Sequence, residues 1–524
     1  MGRGPEPRRL DGGARRVSAE RNPCLAEAAP RDAAISGAPR RHVIVVGGGL
    51  AGITAAFDCA DAGLTVTLLE SRGRLGGQAY SFEREGLAAD NGPHVFLRCC
   101  TEYRALVERI GAGGMVTLQD RLDITVLAPA GRRGRLRRSG LPAPLHLAGG
   151  LLRYPFLTPR ERLAAAVAMR ALARVNVDDP ANDVRTFGDW LREHGQTPTA
   201  VRVLWDLITR PTVNLPAERA SLAQAAYVFQ EGLLSDAAAG DIGHARVPLS
   251  EIHDEAARVA LREAGVDVRL RAGVTAIEPD PESGSDVGPG AEAESGADPG
   301  RRGFAVRLSG PHGGELFADA VVLAVGPERM ARLIPSRAGV APDSLRALGA
   351  SPIVNVHVVY DRPVLDIPFA AGVDTPVQWV FDRTRSAGLD SGQYLVVTLS
   401  AAEEELAMPG EAVLERHVRA LAELLPVAER GARVERAFVT RDHAATFRAA
   451  PGQRALRPAA ATALPGLALA GAHTDTGWPA TMEGAVRSGH AAARVVVAAA
   501  SAATALVSPA DAARPSVREA EVVT

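Results

Sequence analysis

Three glycines followed by one carboxylate give this chain its first chemical signal. Residues 42–78 read HVIVVGGGLAGITAAFDCADAGLTVTLLESRGRLGGQ, which sets Gly47, Gly49 and Gly52 in a G-x-G-x-x-G pattern and Glu70 at the end of the next apolar run. Residues of these types at this spacing bind a dinucleotide. Gly47 permits a tight turn, Gly49 lets the backbone approach a pyrophosphate, and Gly52 lets a helix lie close on its strand. Leu50 and Ala51 open that helix, whose unpaired N–H groups face the phosphates. Glu70, about 20 residues beyond the glycines, stands where a carboxylate accepts ribose hydroxyls. A second glycine pair, Gly76 and Gly77, follows at once, flanked by Arg74 and Gln78.

Other chemistries are excluded by composition. All 59 basic residues are arginine, so no lysine can form a Schiff base and aldimine-type chemistry is ruled out. The 12 histidines show no HExxH or comparable spacing, so no metal is expected. Four cysteines, Cys24, Cys59, Cys99 and Cys100, form no CxxC pair, which suits a reducing cytoplasm. The adjacent Cys99 and Cys100 read as buried packing. A formal charge of −2 predicts no broad attraction to nucleic acid.

The elements that must position the glycines follow from hydrophobic patterning. The apolar run 43–46 reads as a strand buried on both faces of a parallel sheet. Residues 50–62 form an Ala-rich helix and 65–69 a second strand, completing a βαβ unit. At 524 residues the chain exceeds one typical core. The fold class is therefore α/β: a discontinuous Rossmann-like domain from 41–119, 246–345 and 456–505, with a mixed-sheet plus helical substrate domain from 120–245 and 346–455. In the first domain, 251–264 reads as a helix, and 265–270, 273–277, 319–327 and 466–471 as strands; Val274 joins the candidate cofactor contacts. In the second, 353–360 and 393–400 alternate as antiparallel strands do, and 411–425 reads as a helix. Residues 120–245 read as cap helices that pack as core or line a tunnel for a long hydrocarbon, with Trp205 and Tyr227 as candidate flanks. Residues 1–40 read as a disordered extension, 279–303 as a solvated acidic insertion and 506–524 as a tail. No run approaches about 18 uninterrupted apolar residues, so no membrane span is expected. The stretch 141–156 could lie as an interfacial helix.

The glycine pair after Glu70, together with LALAGAHTDTGWPATMEGAVRSG at 467–489, resembles the FAD-dependent amine oxidase and phytoene desaturase superfamily. With DNGPHVFLRCCTEYR at 90–104 and DWLREHGQ at 189–196, the combination is similar to the hydroxysqualene dehydroxylase family. The resemblance implies FAD gripped from both ends of the chain, with Gly471, Met482 and Glu483 at its ring end. It implies a long-chain isoprenoid hydrocarbon as substrate, replacement of an allylic hydroxyl by hydrogen as in making squalene for bacterial hopanoids, and an unidentified reductant for the flavin. His94, Asp90 and Asp475 lie in flavin-proximal motifs and are candidate acids for that hydroxyl. Peripheral contact with the inner face of the membrane, from the cytoplasm, would suit such a substrate.

Two departures from the superfamily matter. Ala472 stands where an Asp often bonds the ribityl chain, and the lysine that assists oxygen reactions in many oxidases is absent, which argues against an oxygen-consuming amine oxidase. Two alternatives stay open. A carotenoid-type desaturase would run the redox chemistry in the opposite direction. A non-catalytic prenyl-chain carrier would tend to lose the flavin glycines, which this chain keeps.

Overall fold

Alternating side-chain directions along one buried strand divide the first lobe into its two cores. The computed structural model describes residues 41–279 and 303–507; the extension at 1–40, nearly all of the insertion at 279–303 and the tail beyond 507 lie outside the described residues. In the strand His42–Val46, Val43 and Val45 pack into one apolar cluster and Ile44 and Val46 into another, as the period of two requires. The strand sits at the centre of a five-stranded sheet in the order Asp267–Leu270, Thr65–Glu70, His42–Val46, Ala320–Leu323, Leu467–Leu469, every pair parallel. Strands from four distant parts of the chain thus build one dinucleotide-type sheet.

One face of this sheet carries the helix Leu50–Asp61, crossed by the long helix Met482–Val507. The crossing is close: a Cβ on Gly489 would fall 2.4 Å from the Ala51 carbonyl oxygen. His490 Nδ1 and the Asp58 carboxylate, 2.6 Å apart, tie the same two helices. The other face is covered by a three-stranded antiparallel sheet, Gly273–Pro279, Phe304–Ser309 and Gly314–Ala318, and by the helix Pro327–Leu333.

The second lobe is a seven-stranded mixed sheet in the order Val434–Thr446, Ser351–Tyr360, Gln393–Ser400, Trp379–Asp382, Phe369–Gly372, Asp123–Ala128, Arg132–Arg137. Here the structure corrects the sequence reading. The stretch from 120 was expected to open a helical cap, yet Asp123–Ala128 and Arg132–Arg137 form a hairpin on this sheet. Asp123–Ala128 pairs in parallel with Phe369–Gly372. Left-handed Ala130 and Gly131, φ 60° and 70°, make the turn. The helices beyond it, including Pro159–Leu172, Phe187–Glu193, Asp206–Val213 and Leu222–Phe229, form the cap.

Trp205, for which core packing and a tunnel flank were the two readings, is fully buried core. Its ring packs on Phe187 and Phe229, and its Nε1 donates to Gln196 Oε1 at 2.9 Å. The helices Asp206–Val213 and Ala257–Glu263 are each preceded by a π-helical turn, and Leu222–Phe229 is followed by one; such turns often mark functional sites. At the junction of the lobes, fully buried Asp241 accepts from Arg98 at 2.9 Å, Arg138 at 2.6 Å and the Leu122 amide at 2.6 Å.

Candidate functional site

A single cavity of about 1600 Å³ runs from the glycine turn into the cap. Its first end is lined by Gly47, Gly49, Leu50, Ala51, Glu70, Gly76, Gly77 and Gln78. The helix Leu50–Asp61 begins at Gly49 with no side-chain cap and no acid in its first turn, so its leading N–H groups remain available to an anion. Gly77, at φ 59°, approaches so closely that a Cβ there would lie 2.9 Å from Gly49 Cα. Both oxygens of the Glu70 carboxylate are anchored: Oε2 accepts from the Gly48 amide at 2.7 Å and Oε1 from the Arg72 amide at 2.7 Å. Ser71 Oγ also donates to Oε1 at 3.1 Å, so of about four lone-pair sites on a carboxylate one remains for a ribose hydroxyl.

Gly52, Arg74 and Val274 stand behind the wall rather than on it. A Cβ on Gly52 would sit 1.9 Å from the Gly47 carbonyl oxygen, so this glycine serves helix–strand packing. The Arg74 guanidinium lies 3.6 Å above the Tyr80 ring and donates to the Leu75 and Gly77 carbonyls at 3.0 and 3.1 Å. It shapes the turn that holds the glycine pair. Val274 is buried, and its carbonyl accepts from Arg329.

The middle of the cavity meets the C-terminal motif. Gly471, at φ 140°, and Met482 both line it. Glu483 also lines it, but its carboxylate turns to the helix Thr101–Arg109, accepting from the Glu102 and Tyr103 amides at 3.2 and 2.7 Å and from Arg487 at 2.7 Å. It therefore caps a helix whose own N-cap, Cys100, makes no side-chain capping bond.

The three expected acids separate. His94 lines the cavity. Its Nδ1 lies 2.8 Å from the Gly92 carbonyl oxygen, which can only accept, so Nδ1 carries the hydrogen and Nε2 of the neutral ring is an acceptor. Burial holds its pKa below the usual histidine value. Asp90 does not line the cavity; it is buried in an ion pair with Arg383 at 2.6 Å and accepts from Ser81 Oγ and the Leu249 amide. Asp475 is exposed on the loop and bonds the Gly477 amide at 3.4 Å. A proton donor must reach its substrate, so burial behind the wall removes Asp90 from that role and solvent exposure removes Asp475.

Sequence reasoning passed over three residues here. Asn355, 1 % exposed, lines the cavity; its Nδ2 donates to the Asn91 carbonyl at 2.8 Å while Oδ1 has no partner. An amide inside the strand pattern IVNVHVVY was its signal. Glu231 and Trp478 also line the wall, Glu231 being an isolated acid in the apolar stretch AAYVFQEGLL. Cys99 and Cys100 both line the cavity as free thiols, with Cys100 pushed up by Cys99 and by burial. The cap end is apolar, with Leu122, Ile124, Leu204, Ile208, Phe369 and Trp379 on its walls.

Comparison with known proteins places these features in a family. The model for flavin containing amine oxidoreductases matches residues 50–497. A hydroxysqualene dehydroxylase of Rhodopseudomonas palustris is 31% identical over 473 residues, spanning 88% of this chain and 99% of the relative. A zeta-carotene desaturase of Zea mays is 25% identical, spanning 86% of this chain and 82% of the relative. Among solved structures, cyclohexylamine oxidase from Brevibacterium oxydans superposes with a TM-score of 0.63 at 20% identity, covering 89% of this chain and 100% of the other. That likeness shows the fold.

Proposed function

The chain belongs to the flavin containing amine oxidoreductases, and from that premise we propose that it is an FAD-dependent dehydroxylase that reduces hydroxysqualene to squalene. One observation carries the reading: the glycine cradle and an apolar tunnel are two ends of a single cavity, so a redox cofactor and a long hydrocarbon can meet inside one chain. The uncapped helix start, the close pass of Gly77 on Gly49 and the anchored Glu70 fit an adenine dinucleotide. The unpartnered Asn355 Oδ1 on the wall suits a donor on the bound cofactor or substrate. The dehydroxylase relatives span nearly their whole length here, and the absent lysine tells against an oxygen-consuming oxidase.

When bound, reduced flavin supplies hydride to the carbon that loses its hydroxyl. The chain's own residues do the rest. Leu122, Ile124, Leu204 and Phe369 exclude water along the hydrocarbon, which strengthens electrostatic interactions at the reacting carbon. His94, neutral at pH 7, presents Nε2 as an acceptor that can orient a hydroxyl. Product analysis tests the reading. Purified protein with reduced flavin should convert hydroxysqualene to squalene, whereas desaturation of phytoene without dehydroxylation would establish the desaturase instead. A colourless preparation without flavin absorbance would favour the carrier.

The same reading includes peripheral attachment to the inner face of the membrane. Among the described residues no helix is long and apolar enough to cross a membrane. Leu145, Leu152, Leu163 and Val167, each more than half exposed, lie on Leu145–Leu147 and on the helices Ala148–Leu152 and Pro159–Leu172. The inner sides of these segments, through Leu147, Leu151 and Met169, line the cavity. A hydrocarbon could pass from lipid to tunnel through this part of the cap.

A further inference from the structure

Five carboxylates line the cavity, and four are already engaged. Glu70 and Glu483 hold backbone amides, Glu328 pairs with Arg332 at 2.9 Å, and Asp442 accepts the Ala444 amide at 3.1 Å. Glu231 is the remaining one, with no hydrogen bond or ion pair to its carboxylate among the described residues. It sits in the π-helical turn Gln230–Leu234 that continues the helix Leu222–Phe229. Four residues earlier, Tyr227 lines the same cavity and meets Trp478 edge-on, ring centroids 5.6 Å apart. Burial holds the Tyr227 hydroxyl above its usual pKa. Glu231 thus lies beside the junction of cap and C-terminal motif.

Tyr227, Trp478 and Pro479 also form a wall of a second cavity, of about 100 Å³. Its other lining includes Gln224, Arg457, Arg454 and Asp178. Gln224 is 7 % exposed, and neither its Nε2 nor its Oε1 has a partner. A space of this size accommodates about three waters, which would satisfy that amide. Asp178, exposed, faces solvent at the outer end.

We infer that Glu231 donates the proton to the departing hydroxyl and is reloaded from solvent through the side cavity by way of Tyr227. The inference rests on the dehydroxylase reading. The carbon–oxygen bond breaks with its electron pair on oxygen, the proton of Glu231 joins that oxygen, and water leaves. The carbon receives a hydride from the reduced flavin, forming the new carbon–hydrogen bond. The resulting carboxylate takes a proton through Tyr227, which is replaced from water beside Gln224.

The test uses flavin-loaded enzyme, reduced without oxygen and mixed with hydroxysqualene, while flavin absorbance reports reoxidation. Glu231→Gln should keep its flavin but reoxidise about 100-fold more slowly, and Glu231→Asp should recover part of the rate. A squalene-chain amine, with its ammonium at the carbon that bears the hydroxyl, mimics the developing cation and gives a readout apart from turnover. It should bind oxidised wild-type enzyme about tenfold more tightly than Glu231→Gln. Gln224→Leu should lower steady-state turnover about tenfold, with a larger loss in deuterium oxide. Wild-type rate and wild-type amine affinity in Glu231→Gln would overturn the donor assignment, and unaltered steady-state turnover in Gln224→Leu would overturn the supply path. Wild-type enzyme that leaves hydroxysqualene unchanged would overturn the dehydroxylase reading and the role of Glu231 with it, a result distinct from equal activity in wild type and variant.

Discussion

Asp90 and Arg383 form an ion pair 2.6 Å long, with each side chain under one-tenth exposed. Arg383 also donates to the Ala245 carbonyl at 2.8 Å, so one guanidinium joins the strand Leu87–Asp90, the strand Ile242–Ala245 and the turn after Trp379–Asp382. Removing one partner of a buried pair strands the other charge, at about 3–5 kcal/mol. Asp90→Ala should therefore lower the urea unfolding free energy by about that amount. The double variant Asp90→Ala/Arg383→Met should recover much of the loss, since an apolar replacement leaves no buried charge behind. A double variant as unstable as the single one would show that the cost lies in packing.

The glycine cradle makes a prediction about flavin rather than stability. Gly77→Ala must place a methyl 2.9 Å from Gly49 Cα at a φ of 59°, which shuts the space a pyrophosphate would enter. Flavin content per protein should fall at least tenfold with little change in circular dichroism. Glu70→Gln keeps the shape and loses the charge that bonds Gly48 and Arg72, so flavin affinity should weaken about tenfold; charge-assisted bonds are worth roughly 1.5–3 kcal/mol. Titration of stripped protein with FAD measures both.

Why was this end of the molecule legible from sequence while the acids were not? The turn, helix start and carboxylate between Gly47 and Glu70 are local in the chain, so their spacing alone specifies their geometry. The fate of Asp90 depends on Arg383, 293 residues away, and no spacing rule connects them. Glu483 lines the cavity, but the turn of its carboxylate towards the Glu102 and Tyr103 amides exists only once two distant helices meet. The hairpin at 123–137 was missed for a related reason. Its apolar face is completed by pairing with Phe369–Gly372, and charged Arg132, Arg133 and Arg135 on its outer strand hide the strand period.

Three buried histidines predict sensitivity to acid. Burial pushes His253 to about 4, His357 to about 3 and His473 to about 4. Each is neutral in both folded and unfolded states well above pH 6.5, where its contribution to stability is complete. As pH falls below about 6.5 the unfolded chain takes up protons that the folded one refuses, so stability is lost down to about pH 4. Asp206, raised to about 6 by burial, works the other way below pH 6 and offsets one histidine. These four groups together bind about two more protons in the unfolded chain, a contribution of roughly 3 kcal/mol per pH unit between pH 6 and 4. His357 stacks on Phe438 and bonds Tyr394 and Thr440. His357→Gln should lower the pH slope of the unfolding free energy, measured from pH 7 to 4.5, by about 1.4 kcal/mol per pH unit, and an unchanged slope would remove His357 from the account.

The exposed apolar face of the cap should bind lipid. Leu163 and Val167 are one helical turn apart on Pro159–Leu172, 69 % and 58 % exposed, and Leu152 is 66 % exposed. Arg153, Arg160 and Arg170 are exposed nearby, and each arginine near an anionic surface adds about 1 kcal/mol of attraction. Sequence position alone suggested an interfacial helix at 141–156; the structure adds the following helix to the same patch and puts cavity-lining Leu151 and Met169 on its inner side. Burying one leucine in an apolar phase is worth about 1.5–3 kcal/mol. The variant Leu152→Ser/Leu163→Ser should therefore float with vesicles containing anionic phospholipid at least tenfold less than wild type. Its thermal stability should hold, because neither side chain is in the core, and wild-type binding should weaken with salt. Equal flotation of the two proteins would place the lipid contact elsewhere on the molecule.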